Sequence, residues 1–458
     1  MNQKHNEHLK KTLGKLNYDV HLKELIKGST NAFLGKILGM VFGYLSVLFI
    51  SNVYGSEKLG IFSICLTILS ITTLIPIFGF DTSLIRILNE VKEKGNKRDF
   101  ISMLSKTTLT TFILSIIFSF AIYQLSDFLS LNVFKNSSLS GYIKSISFAI
   151  TPTSLLVISS GFFQSTKKTF LHILFKTALI NVVFVCLLCA NYFLFHDQKE
   201  ISFLYSCSAY LVLFLSIFLF LRSLGRIDFN TQNRFDFSFK RILGISSPML
   251  FSNSFALLLG WINILLLGYF ISESGVGIYD STEKLAGLTS VFLIAINAIA
   301  APKFAEAYSK NDLLALRNVA QNSAKLTFYT SAPILLAMVI FGDFFLRLFG
   351  DEFTKGYWVL FLLCIGKFVS AACGSVGYLL QMTGYQKIFQ KVIFFAVILN
   401  FGLSVFLIPK YGFVGAAISK SFSIIFWNIV LVLIVKKRFG FWTIYSPFHL
   451  RTKMEKTN

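Results

Sequence analysis

Apolar residues recur in long runs separated by short polar segments, and five of these runs contain no charged residue. The charge-free runs cover 59–80, 107–126, 145–166, 201–221 and 242–272. About 20 apolar residues in a helix suffice to cross the hydrocarbon core of a bilayer. The whole pattern predicts twelve membrane-spanning helices, at 28–52, 58–80, 106–128, 143–165, 171–194, 201–222, 243–269, 276–301, 325–347, 356–382, 388–409 and 412–436. We therefore expect an all-α polytopic membrane protein.

The composition agrees with this pattern. Of the 458 residues, 54% are hydrophobic and only 14% are charged, whereas proteins on average carry roughly 25% charged residues. So few charges cannot cover a water-exposed surface, which excludes a soluble enzyme and a disordered chain.

The basic residues are distributed unevenly across the predicted spans. Segments on the side of the chain termini carry 31 Lys and Arg, the opposite side carries seven, and five fall inside helices. Basic loops stay on the cytoplasmic side of a membrane, so both termini are predicted to be cytoplasmic, in a bacterial inner membrane. The net charge of +21 then reflects topology and contact with phospholipids, and no nucleic-acid partner is expected.

Three features recur at a single offset of 217 residues. The small-residue ladder Gly35, Gly39, Gly43 aligns with Ser252, Ala256, Gly260; LGIF (59–62) aligns with VGIY (276–279), and FFQST (162–166) with LLQMT (379–383). Six helices per copy give both copies the same orientation, that is, a parallel pseudo-two-fold repeat. We predict two six-helix lobes, 28–222 and 243–438, joined by a cytoplasmic linker at 223–242. Residues 439–458 form a cytoplasmic tail. Residues 1–27 are predicted to be a basic amphipathic segment on the membrane surface, with a solvated tail as the alternative.

The sequence lacks the motifs that several kinds of chemistry require. It contains no G-x-x-x-x-G-K-[ST] phosphate loop and no metal-ligand spacing, and the predicted non-cytoplasmic loops are short and poor in charge. A membrane-embedded glycan polymerase or transferase would need an acid, base or cation cluster in a sizeable loop. We therefore expect no catalytic residues, no metal and no cofactor.

Ionisable residues inside the predicted spans are the remaining evidence about function. Each costs roughly 2.5 to 3.5 kcal/mol to insert into the membrane, so such residues usually face a cavity or a partner. Lys367 lies nearest the midplane and is expected to line a central cavity. Lys36 and Lys420 are further candidates, with snorkelling to the membrane surface as the alternative, and Lys176 reads as an interface anchor.

Helix eight carries Asp280, Glu283 and Lys284, whose spacing places them on one face. Two interpretations stay open: a salt bridge that only neutralises itself, or a lumen-facing lysine with protonatable carboxylates used for coupling. Asp81 and Arg86, after helix two, are candidates for a gate pair, with an ordinary loop start as the alternative. A cavity lined mainly by lysines suits an anionic, phosphate-bearing cargo.

Two runs resemble a known family: GSEKLGIFSICLTILSITTLIPIFGFDTSLIR (55–86) and GVGIYDSTEKLAGLTSVFLIAINAIAAPKFAEAYS (275–309). They are similar to the signature regions of the polysaccharide-transporter or O-antigen flippase (Wzx-like) family, within the multidrug/oligosaccharidyl-lipid/polysaccharide exporter superfamily. By motif position the resemblance points to Asp81, Asp280 and Lys284.

The resemblance implies alternating access through a cationic lumen, and movement of an undecaprenyl-diphosphate-linked oligosaccharide, an O-antigen or capsule repeat, across the inner membrane. It also implies a polysaccharide polymerase and a chain-length regulator as partners. The main alternative is an ion-coupled small-molecule or multidrug antiporter of the same fold. A glycan polymerase or transferase is the alternative from another class.

Overall fold

The computed structural model describes the backbone of residues 2–94, 96–166, 168–195, 200–224 and 239–445. Side chains are described from residue 33 onward, except at some positions, most of them within 82–95 and 239–256. The side chains of the predicted amphipathic segment, most of the predicted linker, and residues 446–458 of the predicted tail lie outside this description.

Within these residues the chain is almost entirely helical and has no strand, which confirms the all-α prediction. The α-helices are α1 (Asn2–Ile77), α2 (Phe80–Lys94), α3 (Lys97–Phe128), α4 (Leu139–Ser147), α5 (Ile150–Ser165), α6 (Thr169–Ile173), α7 (Leu179–Ala190), α8 (Ile201–Leu224), α9 (Phe239–Phe270), α10 (Glu273–Gly287), α11 (Ser290–Ser309), α12 (Leu313–Ile340), α13 (Gly342–Arg347), α14 (Tyr357–Cys373), α15 (Val376–Met382) and α16 (Gln386–Phe439). Short π-helical segments lie at Leu129–Val133, Leu174–Ala178 and Asn191–Phe195, and a 3-10 helix at Asp351–Gly356.

Two of the long helices are each a pair of spans joined at a glycine. The break in α1 is at Gly55, with φ 80° and ψ 178°, and the break in α16 is at Gly412, with φ 59°. Positive φ is accessible to glycine at no steric cost. The two glycines therefore separate predicted helix one from two, and eleven from twelve.

The predicted spans coincide with helical residues, and nine helices of the described chain are long and apolar enough to cross a membrane. Two of the nine contain the glycine breaks: Phe33–Ile77, a stretch of 45 residues within α1, and Gln386–Phe439, the 54 residues of α16. The total of twelve spans stays a prediction. Large apolar side chains on the outside of these helices, such as Phe214 and Phe406, are 77% and 73% exposed, as expected of surfaces that contact lipid.

Side-chain caps set the starts of two helices. The hydroxyl of Ser272 accepts a hydrogen bond from the Gly275 amide at the start of α10, and the Asp312 carboxylate accepts one from the Ala315 amide at the start of α12. Such caps satisfy backbone donors that have no partner inside the helix.

The chain forms two compact units. Unit 1 comprises 1–46, 72–121 and 147–249; unit 2 comprises 47–71, 122–146 and 250–458. The units follow contacts rather than the predicted sequence repeat, since segments 47–71 and 122–146 pack with the second half of the chain. The lobe boundaries 28–222 and 243–438 stay a prediction.

Unit 1 packs the glycine ladder of α1 against the α6–α7 region. A Cβ on Gly39 would lie 3.2 Å from the Cα atom of Ala178, and one on Gly35 would lie 3.1 Å from the Cγ2 atom of Ile173. The Asn181 amide donates to the Gly39 carbonyl at 3.0 Å. The ladder thus permits close approach of helices, as small residues do in membranes. The core beside it is built from large apolar residues of α2, α3, α5 and α8, among them Phe80, Leu84, Phe100, Phe162 and Val212.

The second copy of the ladder behaves differently. A Cβ on Gly260 of α9 would meet no atom within 4 Å in the part of the chain that the structure describes, and the side chains of Ser252 and Ala256 lie outside that part. Within the described residues, the close helix approach seen at Gly39 is therefore not repeated at Gly260. The core of unit 2 lies elsewhere, where α11, α12, α15 and α16 meet, with Phe304, Leu316, Leu380 and Leu431 fully buried.

Candidate functional site

Helix α10 carries a buried carboxylate that has two partners. Asp280 accepts a hydrogen bond from the Ser63 hydroxyl at 2.6 Å and forms an ion pair with the Lys284 ammonium at 2.7 Å. The Asp280 side chain is 8% exposed and that of Lys284 is 37% exposed. The salt bridge expected from the i, i+4 spacing is therefore present, and Ser63 adds a contact from the second half of α1.

The same helix carries a second ion pair, between Glu283 and Lys420 of α16. Lys420 is buried, with only a tenth of its side chain exposed, which rules out a lysine extended to water in this structure. Lys367 of α14 donates from its ammonium to the Ser290 hydroxyl at 3.1 Å, at the start of α11. Lys367 is also near enough to Lys420 and Glu283 for their charges to act on it.

We name these five residues the α10 charge cluster: Asp280, Glu283, Lys284, Lys367 and Lys420. Four of them form two ion pairs, and Lys367 is the member bonded to a neutral hydroxyl. With all five groups ionised, the cluster carries one excess positive charge among helices of unit 2. An unneutralised ammonium in such surroundings favours an anion as its further partner.

The remaining predicted site residues belong to unit 1. Lys36 is exposed beside the glycine ladder. Asp81 pairs with Lys176, their charged atoms 3.5 Å apart. The Arg86 side chain lies outside the described residues, so the proposed Asp81 and Arg86 gate stays a prediction. The reading of Lys176 as a simple interface anchor missed its acidic partner.

A buried asparagine of α9 organises the helices around the cluster. Asn263 donates to the Tyr279 hydroxyl at 2.9 Å and to the Ala416 carbonyl at 3.2 Å, and its own oxygen accepts from Asn400 and Ser404. These hydrogen bonds join α9 to α16, and they join α9 to Tyr279 of α10, which lies about one turn before Glu283. Sequence reasoning missed Asn263, because an uncharged residue in an apolar run gives no insertion-cost signal.

The part of α1 that follows the break at Gly55 crosses the start of α10, and the two helices meet at glycines. A Cβ on Gly60 would lie 1.7 Å from the carbonyl oxygen of Glu273, and a Cβ on Gly277 would lie 2.0 Å from the carbonyl oxygen of Ser56. Both Gly60 with Gly277 and Ser56 with Glu273 are 217 residues apart. The contact is therefore reciprocal, as a two-fold repeat requires, and Ser63 and Asp280 are related by the same offset.

Hydrogen bonds to neighbouring segments hold both helices of this crossing. Ser56 donates to the two oxygens of Glu352, from its amide at 2.6 Å and from its hydroxyl at 2.8 Å. On the other side, the Asn136 amide donates to Glu273 at 2.8 Å. These bonds hold the two crossing helices to the 3-10 helix and to the loop after α3, while the Ser56 and Ser274 hydroxyls, 2.6 Å apart, join α1 directly to α10. Among the described residues, no three His, Cys, Asp or Glu side chains come together as a metal site would need.

Comparison with solved structures identifies the fold. The chain superposes on a lipid II flippase, MurJ, in an inward closed conformation, with a TM-score of 0.73 and 13% identity over 90% of this chain and 87% of the other. It also superposes on an inward-facing multidrug resistance MATE family transporter of the MOP superfamily, with a TM-score of 0.68 and 14% identity over 88% and 94%. At such identities the likeness concerns the fold.

Relatives by sequence cover most of the chain as well. A probable low-salt glycan biosynthesis flippase, Agl15 of Haloferax volcanii, is 23% identical over 87% of this chain and 81% of its own length. A capsular polysaccharide biosynthesis protein, CapF of Staphylococcus aureus, is 20% identical over 87% and 96%.

Fold and comparisons together define a polytopic membrane protein with the two-lobe fold of the multidrug/oligosaccharidyl-lipid/polysaccharide exporters. The polysaccharide biosynthesis protein family profile matches residues 25–308, and the MatE profile matches 248–406. The chain belongs to the polysaccharide biosynthesis protein family. Agl15 and MurJ are named as flippases and the MATE proteins as transporters, which confirms the expectation that this chain is not an enzyme.

Proposed function

We propose that the protein is a flippase that moves a lipid-linked oligosaccharide from the cytoplasmic to the outer leaflet, with the α10 charge cluster receiving the phosphate groups of the cargo. The observation that carries this proposal is Lys367, whose ammonium is bonded to the Ser290 hydroxyl and is left without a carboxylate partner in the cluster. The glycan flippase named among its relatives supports the same class of cargo.

The cluster offers the cargo a specific kind of interaction. Ammonium groups bind phosphate oxygens as point charges, and these interactions strengthen in surroundings that exclude water. Lys284 and Lys420 are already neutralised by Asp280 and Glu283. An arriving diphosphate would first engage Lys367, and the acidic partners would then compete with the phosphate for the other two lysines.

The helix crossing supports transport by alternating access. The distribution of basic residues predicts that Gly60 and Gly277 lie at the non-cytoplasmic ends of their helices, and with that orientation the crossing would belong to a state shut towards the outside. Release of the cargo would require the crossing to separate. Breaking the Ser63 to Asp280 hydrogen bond, which lies one to two turns deeper along the same two helices, would accompany that separation.

Further parts of the proposal rest on the family resemblance. They are an undecaprenyl-diphosphate carrier, an O-antigen or capsule repeat as the glycan, and a polysaccharide polymerase and chain-length regulator as partners. A bacterial inner membrane with both termini cytoplasmic is proposed from the uneven distribution of basic residues. Asp81 and Arg86 remain candidates for gating, and Lys36 for a lumen contact.

Deletion of the gene in its own strain tests the proposal. Lipid-linked oligosaccharide should accumulate in the cytoplasmic leaflet and be protected from an impermeant glycan-modifying reagent applied outside, and the wild-type gene should restore access. Equal labelling of both strains from the outside would contradict the function.

An ion-coupled antiporter is the second candidate, favoured by one observation: the MatE profile covers 248–406, which includes Asp280, Glu283, Lys284 and Lys367. An antiporter would use the carboxylates to exchange a proton or cation for a small molecule. Efflux of a cationic dye by the wild type, abolished by Glu283→Gln, together with unchanged glycan distribution in the deletion strain, would favour this function over the flippase.

A further inference from the structure

The geometry points to a saccharide-binding pocket at the end of unit 2 that holds the helix crossing, separate from the α10 charge cluster. The pocket has a volume of about 380 Å³ and lies between the loop after α3 and the loop joining α9 to α10. Its polar lining comes from Lys135, Asn136, Ser137 and Glu273, and its aromatic lining includes Tyr269. The inference rests on the proposed glycan cargo, because it names where the sugar part would be held.

The chemistry of the lining distinguishes this pocket from a phosphate site. One lysine and one carboxylate leave it without net charge, and the amide and hydroxyl side chains can both donate and accept hydrogen bonds. Neutral polyols present the same mixture of donors and acceptors together with apolar C–H faces. The pocket therefore suits sugar hydroxyls, whereas the lysine-rich cluster suits the diphosphate.

Tyr269 supplies the apolar surface that a sugar ring needs. Its side chain is 43% exposed, and the Lys135 ammonium lies 5.6 Å from the ring centroid, while Phe270 packs edge-on with centroids 4.7 Å apart. A cation over the ring and an aromatic neighbour at its edge fix the ring's orientation. A fixed aromatic ring loses little conformational entropy when a ligand stacks on it.

The polar side of the pocket is held in place before any ligand arrives. The Asn136 amide donates to Glu273 at 2.8 Å, and the Asn136 side-chain oxygen accepts from the Ser138 amide at 2.9 Å and from its hydroxyl at 2.7 Å. The Asn136 backbone amide donates to the Ser130 carbonyl at 2.9 Å. These bonds fix the loop that carries Lys135.

The pocket is also joined directly to the crossing. The backbone carbonyl of Glu273 is the atom that a Cβ on Gly60 would strike, and the Glu273 side chain binds Asn136 inside the pocket. Separation of α1 from α10 would therefore move one wall of the pocket. A sugar held there would be in contact with the element that opens, on the side where the topology predicts release.

Saturation-transfer NMR on the full-length protein in lipid nanodiscs tests this pocket. The probe is the oligosaccharide released by mild acid from the lipid-linked glycan that the deletion strain accumulates, and it carries no lipid or diphosphate. We expect saturation transfer to the probe with the wild type and with Tyr269→Phe. Tyr269→Ala should weaken its affinity by about fivefold to tenfold through loss of one aromatic contact.

Tyr411→Ala is the matched control, because this tyrosine is also exposed and lies in unit 2 outside the pocket. The affinity of this variant for the oligosaccharide should equal that of the wild type. Absence of saturation transfer with the wild type, or equal affinities for wild type and Tyr269→Ala, would overturn the pocket. Neither result alters the leaflet labelling in the deletion strain, so failure of the pocket and failure of the flippase function are distinguishable.

Discussion

Replacing Gly60 with alanine adds a single methyl group where the backbones of α1 and α10 meet. The new Cβ would lie 1.7 Å from the Glu273 carbonyl oxygen, and contacts of a real Cβ essentially never fall below 3.0 Å. The two helices must therefore move apart by at least about 1.3 Å. The corresponding figure for Gly277→Ala, whose Cβ would lie 2.0 Å from the Ser56 carbonyl oxygen, is about 1.0 Å.

The cost of this movement can be bounded. Overpacking of a well-packed site typically costs about 1 to 3 kcal/mol, while alanine gains about 1 kcal/mol over glycine within a helix. Separation also stretches the hydrogen bonds that join the two helices, between the hydroxyls of Ser56 and Ser274 and from the Ser63 hydroxyl to Asp280. We expect Gly60→Ala to lower the apparent melting temperature in detergent and to shift the protein towards the state open at this end.

The double variant gives the sharper test. Because one displacement relieves both clashes, Gly60→Ala with Gly277→Ala should cost little more than Gly60→Ala alone, which is the non-additivity expected of residues that share a contact. Gly402→Ala is the control, since its Cβ would meet no atom of the described residues within 4 Å, and it should leave the melting temperature unchanged or raise it. A Gly60→Ala protein as stable as Gly402→Ala would refute the reasoning.

Three further predictions concern packing, charge and topology. Gly39→Leu should reduce the yield of folded protein by forcing α1 away from Ala178, whereas size-exclusion profiles equal to the wild type would show that the ladder tolerates bulk. Asp280→Lys and Lys284→Asp should each lower glycan export, and the double swap should restore most of it by re-forming the ion pair; failure of the swap in a surface-glycan assay would assign the pair a cargo or proton role instead. A reporter fused after Asn458 should read cytoplasmic, and a periplasmic signal would show that one span has been miscounted.

The helices of the fold could be predicted from the sequence because the length of an apolar run determines whether it can cross the membrane as a helix. Backbone groups in lipid must be satisfied within a helix, so each long apolar run became helical. The breaks inside predicted spans, such as the one between α10 and α11 after Gly287, were missed. Two other breaks, in predicted spans 58–80 and 356–382, lie at Gly79 and Gly374, whose φ angles are 72° and 67°, so glycine was a signal that the span prediction did not use.

The site was predictable in part for the same kind of reason. Helical spacing correctly placed the salt bridge of Asp280 and Lys284 on one helix face. The partners Lys420 and Ser290 come from helices distant in sequence, and no local signal connects them. Ser63 could have been found, because adding the repeat offset of 217 to its number gives Asp280.

Transport of lipid-linked glycan by Lys367 variants in proteoliposomes tests the central claim most directly. The substrate is the lipid-linked oligosaccharide purified from the deletion strain, and transport is measured as access of an impermeant glycan-modifying reagent over time. We expect Lys367→Ala to abolish transport while inserting normally, Lys367→Arg to retain part of it, and Lys310→Ala, which removes an exposed lysine paired with Glu306, to match the wild type. Transport at the wild-type rate by both Lys367→Ala and Lys367→Glu would contradict a cationic site for the phosphate of the cargo.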